Sequence, residues 1–168
     1  KGDTDKIKVI DELDSAVSRL LDIVPDEIVP KKGMNLAMAL KDAAGPEEIA
    51  AVDRRLTVHN GMLRKGGPCK FGTAEQLSYV LLSVMKRFPD TRCIMSLAYN
   101  DETMDVMEEV GLTVLSVDMP KDRIGESVDK ALHKCSNVPD AIVDKAAKKD
   151  RVIRLLAKDP ADMLEKLE

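Results

Sequence analysis

The residues with the clearest chemical potential form a glycine step at 70–76 (KFGTAEQ), which leads directly into apolar residues at helical spacing. Backbone N–H groups at the start of a helix lack partners and carry partial positive charge, which suits a phosphate or diphosphate. A basic hairpin at 54–65 precedes the step, so we expect cations beside it. Gly72 and Thr73 are therefore candidate phosphate-binding residues. The alternative is that Gly72 only allows a turn and that Thr73 caps the helix.

Three further polar residues are candidates for a site around such a ligand. Arg55 opens the hairpin, and a guanidinium can bind a phosphate or diphosphate through two parallel hydrogen bonds; the adjacent Arg54 leaves this assignment open by one position. Gln76 lies one turn into the helix, where it can hydrogen-bond a phosphate or a ring but cannot take a proton near neutral pH. Asn35 follows Gly33 at a strand edge, where it either orients a polar substrate group or supports a turn.

Charged residues in the C-terminal quarter of the chain extend this list. Lys149, near Lys145 and Lys148, either reaches a phosphate or belongs to a solvated basic run. Arg154 either lies beside the site or faces water. Asp144 is a candidate ligand for Mg²⁺ together with a bound diphosphate, although one carboxylate is weak evidence for a metal. The spacing of the three cysteines and two histidines contains no metal-binding motif, so we expect no other metal or cofactor.

Composition limits the classes of protein that the chain can belong to. Its 168 residues suit one domain, and its 44% apolar residues include no Trp, so the core must be aliphatic. Thirty acidic residues against 26 basic ones give a net charge of −4, which argues against nucleic-acid binding by this segment. The sequence contains neither a signal peptide nor an apolar run of about 18 residues, so we expect no membrane partner. Widely spaced cysteines favour a reducing, cytoplasmic setting.

The elements that position these residues follow from apolar periodicity and turn signals. Asn60-Gly61 is the strongest short signal for a hairpin. Because strands alternate with helices but a hairpin interrupts them, we expect an α/β fold with a mixed sheet. Helices are predicted at 5–23, 46–52, 73–88, 101–110, 126–135 and from 160 onwards, and strands at 34–40, 56–59, 62–65, 93–99, 112–118, 141–143 and 152–156.

Five short motifs, in the same order along the chain, resemble the archaeal-type thiamine-phosphate synthase domain known as ThiN. The resemblance covers about residues 28–168. Residues 28–37 (IVPKKGMNLA) resemble that family's IPEVGMNIAYA, residues 50–56 (AAVDRRL) its AAVPGRL, residues 71–76 (FGTAEQ) its FGASSH, residues 139–144 (PDAIVD) its PDVIYD, and residues 153–160 (IRLLAKDP) its IRVLGRDP.

The resemblance implies a three-layer α/β/α fold akin to class II aldolases, without their zinc site. It divides the chain into an N-terminal amphipathic connecting helix within 1–27 and one globular domain at 28–168. The family's reaction joins a pyrimidinylmethyl diphosphate to a thiazole phosphate and releases diphosphate and thiamine phosphate. The family's domain commonly follows a pyrimidine kinase in the same chain. We therefore expect a small phosphorylated ligand, a possible fused kinase upstream and a possible homo-oligomer as partners.

Three departures from the family pattern bear on activity. The histidine of FGASSH, which is implicated in catalysis, is Gln76 here, the arginine of NIRY is Ala98, and the GKEPM loop becomes residues 148–152 (KKDRV), with Lys149 as the match to its lysine. The other implicated residue, the arginine of GRL, matches Arg55. The pattern thus retains a phosphate site and loses part of the chemistry around it.

Three functions fit this pattern. The first is a thiamine-phosphate synthase of reduced activity, with Arg55 and Gln76 as catalytic residues. The second is a sensor domain that binds thiamine phosphate without making it, since some relatives follow a helix-turn-helix segment and sense a ligand. The third is a structural or dimerisation module whose ligand site has decayed, which the retained Gly72 and Arg55 disfavour.

Overall fold

A seven-stranded mixed sheet organises this computed structural model, which describes residues 2–119, 123–145 and 151–167. The strands are β1 Leu36–Ala39, β2 Ile49–Val52, β3 Leu56–His59, β4 Met62–Lys65, β5 Cys69–Phe71, β6 Cys93–Ala98, β7 Val114–Val117, β8 Ala141–Asp144 and β9 Val152–Ala157. The sheet order is β5-β2-β1-β6-β9-β8-β7, while β3 and β4 pair as a separate hairpin. Only the β7–β8 pair of the large sheet is parallel. The predicted α/β class with a mixed sheet is confirmed.

Helices cover both faces of this sheet. They are α1 Asp3–Ile23, α2 Glu75–Arg87, α3 Asp101–Glu109, α4 Ile124–Leu132 and α5 Pro160–Leu167. Successive side chains of a strand point to opposite faces, so Leu36 and Met38 of β1 join one apolar cluster, while Ala37 and Ala39 join another. The first cluster includes α1 and α5, and the second includes α2 and α4. A polar strand residue that points to the same face as the second cluster therefore lies on the side of the sheet that α2 covers.

The N-terminal helix α1 packs on the sheet through one apolar stripe. Val9, Leu13, Val17 and Leu20 are buried in the same cluster as the sheet residues of that face. Because these residues recur at three- and four-residue spacing, periodicity alone identified the helix. The proposed division at residues 27 and 28 stays a prediction. Within the described ranges, no helix is long and apolar enough to cross a membrane.

Local turn and cap signals in the sequence correspond closely to the backbone. Asn60 and Gly61 have φ angles of 52° and 76°, as a type I′ hairpin turn requires. Gly111 has a φ of 81° and follows the end of α3, where a residue without Cβ adopts the left-handed region most easily. Asp159 accepts a hydrogen bond from the Asp162 amide at 2.8 Å, and Pro160 opens α5. These signals depend on residues that are close in sequence, so they predicted the backbone without knowledge of the tertiary contacts.

The predicted helix at 46–52 is wrong. The structure has a short 3₁₀ turn at Pro46–Glu48 and then strand β2 at Ile49–Val52, whose four residues are all buried. A run of four apolar residues is compatible with either a buried strand or a short helix, and burial between β1 and β5 decides for the strand. The neighbouring edge strand β5 was also absent from the predicted elements.

The predicted bounds of two helices shift for related reasons. Helix α2 begins at Glu75 rather than at residue 73, because Gly72 and Thr73 belong to the turn that leaves β5. Helix α4 spans Ile124–Leu132 rather than 126–135. Its hydrophobic face continues back to Ile124, which is buried against the α2 side of the sheet. Helix bounds depend on such packing more than on periodicity.

Candidate functional site

The predicted site residues converge on one large cavity at the N-terminal end of α2. Its volume is about 710 Å³. The residues that line it include six of the sequence candidates, namely Asn35, Arg55, Thr73, Gln76, Asp144 and Arg154. Gly72 is not among the lining residues, and Lys149 lies outside the described residues. Segments that are more than 100 residues apart in sequence therefore share one concave surface.

One side of the cavity is a row of polar residues that crosses the sheet. The Asn35 amide donates to Ser96 Oγ at 2.9 Å, and the Ser96 amide donates to the Asn35 carbonyl at 3.0 Å. Ser96 is paired in register with Arg154 of β9. In their strands, all three residues occupy positions whose side chains point to the same face as the cluster that contains α2. Their side chains therefore lie on the face that carries the cavity. Arg154 therefore belongs to this site and not to the solvated surface of the sheet.

Arg154 is a half-buried cation, and two of its guanidinium nitrogens have no hydrogen-bond partner among the described residues. These nitrogens, Nε and Nη1, are themselves buried. Burial lowers the pKa of the guanidinium, and the nearby Asp144 carboxylate partly offsets this by favouring the charged form. Arginine nevertheless stays protonated at any physiological pH. A buried charge without hydrogen bonds costs free energy, so this side chain is suited to an anion that enters the cavity.

The glycine step supports the turn into α2 and leaves the amides of the helix itself for a ligand. The Gly72 amide donates to the Ile49 carbonyl at 3.0 Å, and Gly72 has a φ of 80°. Thr73 Oγ1 lies 3.3 Å from the Lys70 carbonyl and 3.4 Å from the Ala51 carbonyl, so its proton already has acceptors. This geometry fits the turn role that the sequence left open for Gly72.

The first turn of α2 faces the cavity. Residues 74–77 all line it. Helix α2 spans 13 residues, and its first main-chain bond runs from the Ser78 amide to the Ala74 carbonyl at 3.0 Å. The amides of Glu75, Gln76 and Leu77 precede that bond and have no acceptor within the helix, so they carry the positive end of its dipole. The amides without an acceptor inside the helix thus begin at Glu75, three residues after Gly72, where the predicted phosphate site begins.

Arg55 enters the cavity from a tight turn between β2 and β3. Arg54 and Arg55 both have left-handed backbones, with φ angles of 60° and 65°. Arg55 lines the cavity and donates from Nη1 to the Lys32 carbonyl at 3.3 Å, whereas Arg54 is not among the lining residues. The structure thus settles which of the two arginines faces the cavity. Two consecutive non-glycine residues in this region are strained, and such strain persists only where surrounding contacts hold it.

Two glycines allow the close packing around the Arg55 turn. A Cβ atom on Gly66 would lie 2.5 Å from the Arg54 carbonyl oxygen. A Cβ atom on Gly33 would lie 2.9 Å from the Leu56 carbonyl oxygen and 3.2 Å from Arg55 Cβ. Gly33 also has a φ of 99° and lines the cavity. Space therefore requires glycine at both positions, and at Gly33 the left-handed backbone conformation requires it as well.

Replacing Gly33 with alanine is expected to destabilise the protein much more than the same change at Gly61. Both residues have positive φ angles, which cost an alanine about 1–2 kcal/mol. Only Gly33 adds steric overlap, worth about 1–3 kcal/mol more, because nothing lies within 4 Å of a Cβ at Gly61. Chemical denaturation of the two variants measures this difference. Equal losses of unfolding free energy would show that the Arg55 turn is not tightly packed against Gly33.

Charged side chains of both signs line the cavity. Lys32, Arg55 and Arg154 are the described cations, and Glu75 and Asp144 are the described anions. Asp144 Oδ1 accepts a hydrogen bond from the Met119 amide at 3.3 Å. No group of three or more metal-ligating side chains occurs in the described ranges. Cations and helix amides outnumber carboxylates in this cavity, so its electrostatics favour an anionic ligand.

Sequence reasoning missed three polar residues of the cavity, Lys32, Glu75 and Ser96. The Lys31-Lys32-Gly33 step before β1 was a usable signal for Lys32, since a cation beside a glycine turn is a common anion-binding arrangement. Ser96 sits inside an apolar strand, and its position beside Asn35 depends on strand pairing. No local pattern of the chain encodes that pairing.

The mixed sheet and the charged cavity together define an α/β domain with a polar pocket at the N-terminal end of one helix. The family model described as "Thiamine-phosphate synthase ThiN" matches residues 12–168, and the chain belongs to this family. The family predicted from the five sequence motifs is confirmed.

Two relatives illustrate this membership. The chain is 23% identical over 149 residues to Thiamine-phosphate synthase ThiN of Methanothermobacter thermautotrophicus, covering 82% of this chain and 78% of that protein. It is 27% identical over 170 residues to Bifunctional thiamine biosynthesis protein ThiDN of Methanocaldococcus jannaschii, covering 97% of this chain and 40% of that protein. The chain therefore spans about two fifths of the bifunctional relative.

Solved structures support the fold. The C-terminal domain of phosphomethylpyrimidine kinase superposes with a TM-score of 0.87 at 23% identity, over 96% of this chain and 97% of that one. A sugar-phosphate aldolase from Thermotoga maritima gives a TM-score of 0.54 at 12% identity, over 96% and 90% of the two chains. At these identities the likeness concerns the fold alone. The predicted likeness to aldolases holds at that level.

Proposed function

We propose that this domain is a thiamine-phosphate synthase of reduced activity, which joins hydroxymethylpyrimidine diphosphate to thiazole phosphate. The observation that carries the proposal is that Arg55, the first turn of α2 and Arg154 all line one cavity. Arg55 lies in the turn that follows β2, and Arg154 lies in β9. In the sheet, β2 and β9 are three strand positions apart. Neighbouring strands lie about 4.8 Å apart, so these two strands are about 14 Å apart. Such a separation supports a site for two phosphorylated substrates.

In the proposed reaction, Arg55 and the amides of Glu75, Gln76 and Leu77 bind the diphosphate of the pyrimidine substrate. The C–O bond to the diphosphate breaks, and the leaving group takes the electron pair while the thiazole nitrogen forms the new bond. Charge grows on the diphosphate in this step, which a guanidinium and helix amides stabilise more than they stabilise the ground state. Arg154 and Ser96 bind the phosphate of the thiazole substrate on the opposite side of the cavity.

Mg²⁺ fits this proposal as a companion of the diphosphate. Asp144 places one carboxylate in the cavity, and Mg²⁺ is commonly held by one or two carboxylates while phosphate oxygens and water complete its shell. When bound, the ion would neutralise charge on the leaving diphosphate. Asp144 also lies near Arg154, so its charge has a second partner in the absence of a metal.

Further parts of the proposal concern residues and organisation beyond the cavity geometry. Lys149, Gly72 and Thr73 are proposed to support phosphate binding, and Asn35 to border the substrate. We propose a three-layer α/β/α arrangement of the class II aldolase type, with α1 as the connection to an upstream kinase domain. The proposal also includes a cytoplasmic setting and a homo-oligomeric state. The bifunctional relative, of which this chain spans two fifths, supports the fused kinase.

A sensor domain that binds thiamine phosphate without making it is the second candidate. The observation in its favour is Gln76, which lines the cavity where the family motif has a histidine. A glutamine amide retains hydrogen bonding to a ligand and loses proton transfer and positive charge. Binding therefore survives this replacement more readily than turnover does.

Replacing Gln76 with histidine separates the two candidates. If the family histidine acts in proton transfer, this change is expected to raise the rate of thiamine phosphate formation about 10²-fold or more. The assay supplies both substrates with Mg²⁺ to wild type, to Gln76→His and to a Gln76→Asn control. Product from wild type above the blank supports the synthase. Absence of product from all three proteins, together with calorimetric binding of thiamine phosphate, would favour the sensor, and absence of both would reject the two candidates.

A further inference from the structure

Asn35 uses its side chain to join the start of β1 to the end of β2. The residue is buried, with 4% of its surface exposed. Its Oδ1 atom accepts hydrogen bonds from the Leu36 amide at 2.8 Å and the Val52 amide at 3.0 Å, and its Nδ2 group donates to the Val52 carbonyl at 2.9 Å. The carboxamide thus pairs with both main-chain groups of Val52, as a neighbouring strand would. These buried hydrogen bonds hold the start of β1 and the end of β2 in a fixed relative position.

Val52 is the residue at which the Arg55 turn begins. The Val52 carbonyl that accepts from Asn35 also accepts from the Arg55 amide at 3.3 Å. After Val52 the chain passes through Arg54 and Arg55, which both hold left-handed backbones. The left-handed region is unfavourable for a residue that has a Cβ atom. The turn therefore needs fixed contacts at its base, and the Asn35 carboxamide supplies two of them.

The other end of the turn is held by main-chain bonds and by the hydrogen bond from the Arg55 side chain to the Lys32 carbonyl. The Gly66 amide donates to the Arg55 carbonyl at 2.7 Å, and Leu56 exchanges two bonds of 2.8 Å with Met34. These bonds do not reach Val52. Among the described residues, Asn35 is the side chain whose hydrogen bonds reach the first residue of the turn. Its loss would leave the Val52 amide and carbonyl in a buried environment without those partners.

We propose that Asn35 is a positioning residue that holds the strained turn carrying Arg55 in its cavity-facing conformation. This inference rests on the proposed role of Arg55 in binding diphosphate. It assigns Asn35 an action through the Val52 main chain, in addition to any contact between Asn35 and a substrate. The inference further links Arg55 to Ser96, because the Asn35 amide donates to Ser96 Oγ at 2.9 Å.

The first test measures the turn directly and needs no ligand. NMR couplings and Cα shifts report the φ angles of Arg54 and Arg55, and amide exchange reports the Arg55 N–H. In Asn35→Ala, both signals are expected to move away from left-handed values, and the Arg55 amide to exchange about tenfold faster or more. Met163→Ala serves as the control, because Met163 is buried in α5 on the opposite face. Unchanged turn signals in Asn35→Ala would overturn the proposal.

The second test asks whether Asn35 acts through Arg55. Inorganic pyrophosphate is titrated calorimetrically into wild type, Asn35→Ala, Arg55→Ala and the double variant. Affinity is expected to fall about tenfold on loss of Asn35 and about 100-fold on loss of Arg55, with the double variant equal to Arg55→Ala. Additive losses would mean that Asn35 affects pyrophosphate binding independently of Arg55, which contradicts the proposal that it acts through the Arg55 turn.

Two outcomes keep this inference separate from the proposed function. If wild type does not bind pyrophosphate but the turn signals move in Asn35→Ala, positioning stands and the diphosphate role of Arg55 fails. If wild type binds pyrophosphate and the turn signals do not move, the function stands and positioning fails. Asn35→Ser, which retains a short side-chain acceptor, takes the place of Asn35→Ala if the alanine variant does not fold. The φ angles of Arg54 and Arg55 and the exchange of the Arg55 amide are then measured in Asn35→Ser, with the same expected result.

Discussion

Replacing Arg154 with methionine is expected to make the free protein more stable and to abolish tight binding of thiamine phosphate. Two guanidinium nitrogens of Arg154, Nε and Nη1, are buried and lack a hydrogen-bond partner within the described part of the chain, so the charge is a cost when the cavity holds no anion. A methionine of similar length should raise the free energy of unfolding by about 1–4 kcal/mol. The same change removes a charge-assisted contact to phosphate, which should weaken binding about 100-fold or more. Denaturant unfolding and calorimetry measure the two effects.

The opposite signs of these effects distinguish a ligand site from a structural role. If Arg154 served packing alone, methionine would change stability and binding little, and if it stabilised the fold, both would fall. Because Asp144 loses a nearby cation in this variant, the double variant Arg154→Met/Asp144→Asn removes the remaining charge. Arg154→Lys keeps a charge without the planar fork and should bind with intermediate affinity. A stability loss in the double variant would contradict the buried-cation argument.

Replacing Arg55 with alanine is expected to lower the rate of thiamine phosphate formation by about 10²–10³-fold. The guanidinium lines the cavity and is proposed to meet the diphosphate as its charge grows, and loss of one such stabilising donor has an effect of this size. The fold should hardly change, because the Arg55 side chain is exposed and its hydrogen bond to the Lys32 carbonyl is long, at 3.3 Å. Single-turnover kinetics with both substrates and Mg²⁺ measure the rate of the chemical step.

The neighbouring Arg54 provides a matched control for this prediction. It is exposed, has the same charge and shares the left-handed backbone, but it is not among the residues that line the cavity. Arg54→Ala should therefore retain activity within about threefold, as a surface charge change would. Arg55→Lys should recover only part of the rate, because lysine cannot bind two oxygens through a planar fork. Equal losses for Arg54→Ala and Arg55→Ala would indicate a diffuse basic surface in place of a defined contact.

Much of the site could be anticipated from local sequence. The Asn60-Gly61 turn, the stop at Gly111 and the cap at Asp159 are each specified within four residues, and the structure has all three. Apolar spacing identified α1 and α2 because the helical period is independent of what the helix packs against. Motif order along the chain identified the family. Arg55 and Gln76 followed from those motifs, and both line the cavity.

Other features required the folded chain. Whether residues 49–52 form helix or strand was decided by their burial between β1 and β5, since four apolar residues carry no usable period. Arg154 looks like an exposed charge on a strand until its pairing with Ser96 places it on the cavity face. Asn35 similarly resembles a turn residue until its bonds to Val52 are known.

The sequence by itself determined the family, the aliphatic core, the local turns and caps, and the residue types available to bind an anion. Tertiary structure alone decided which of those residues meet, that the first turn of α2 lines the cavity, and that Arg154 Nε and Nη1 are buried without a hydrogen-bond partner among the described residues. The physical reason is the distance along the sequence between the residues that interact. Turns, caps and helical periods depend on interactions within about four residues, whereas strand order and register depend on contacts such as β1–β6 and β6–β9, between segments about 60 residues apart.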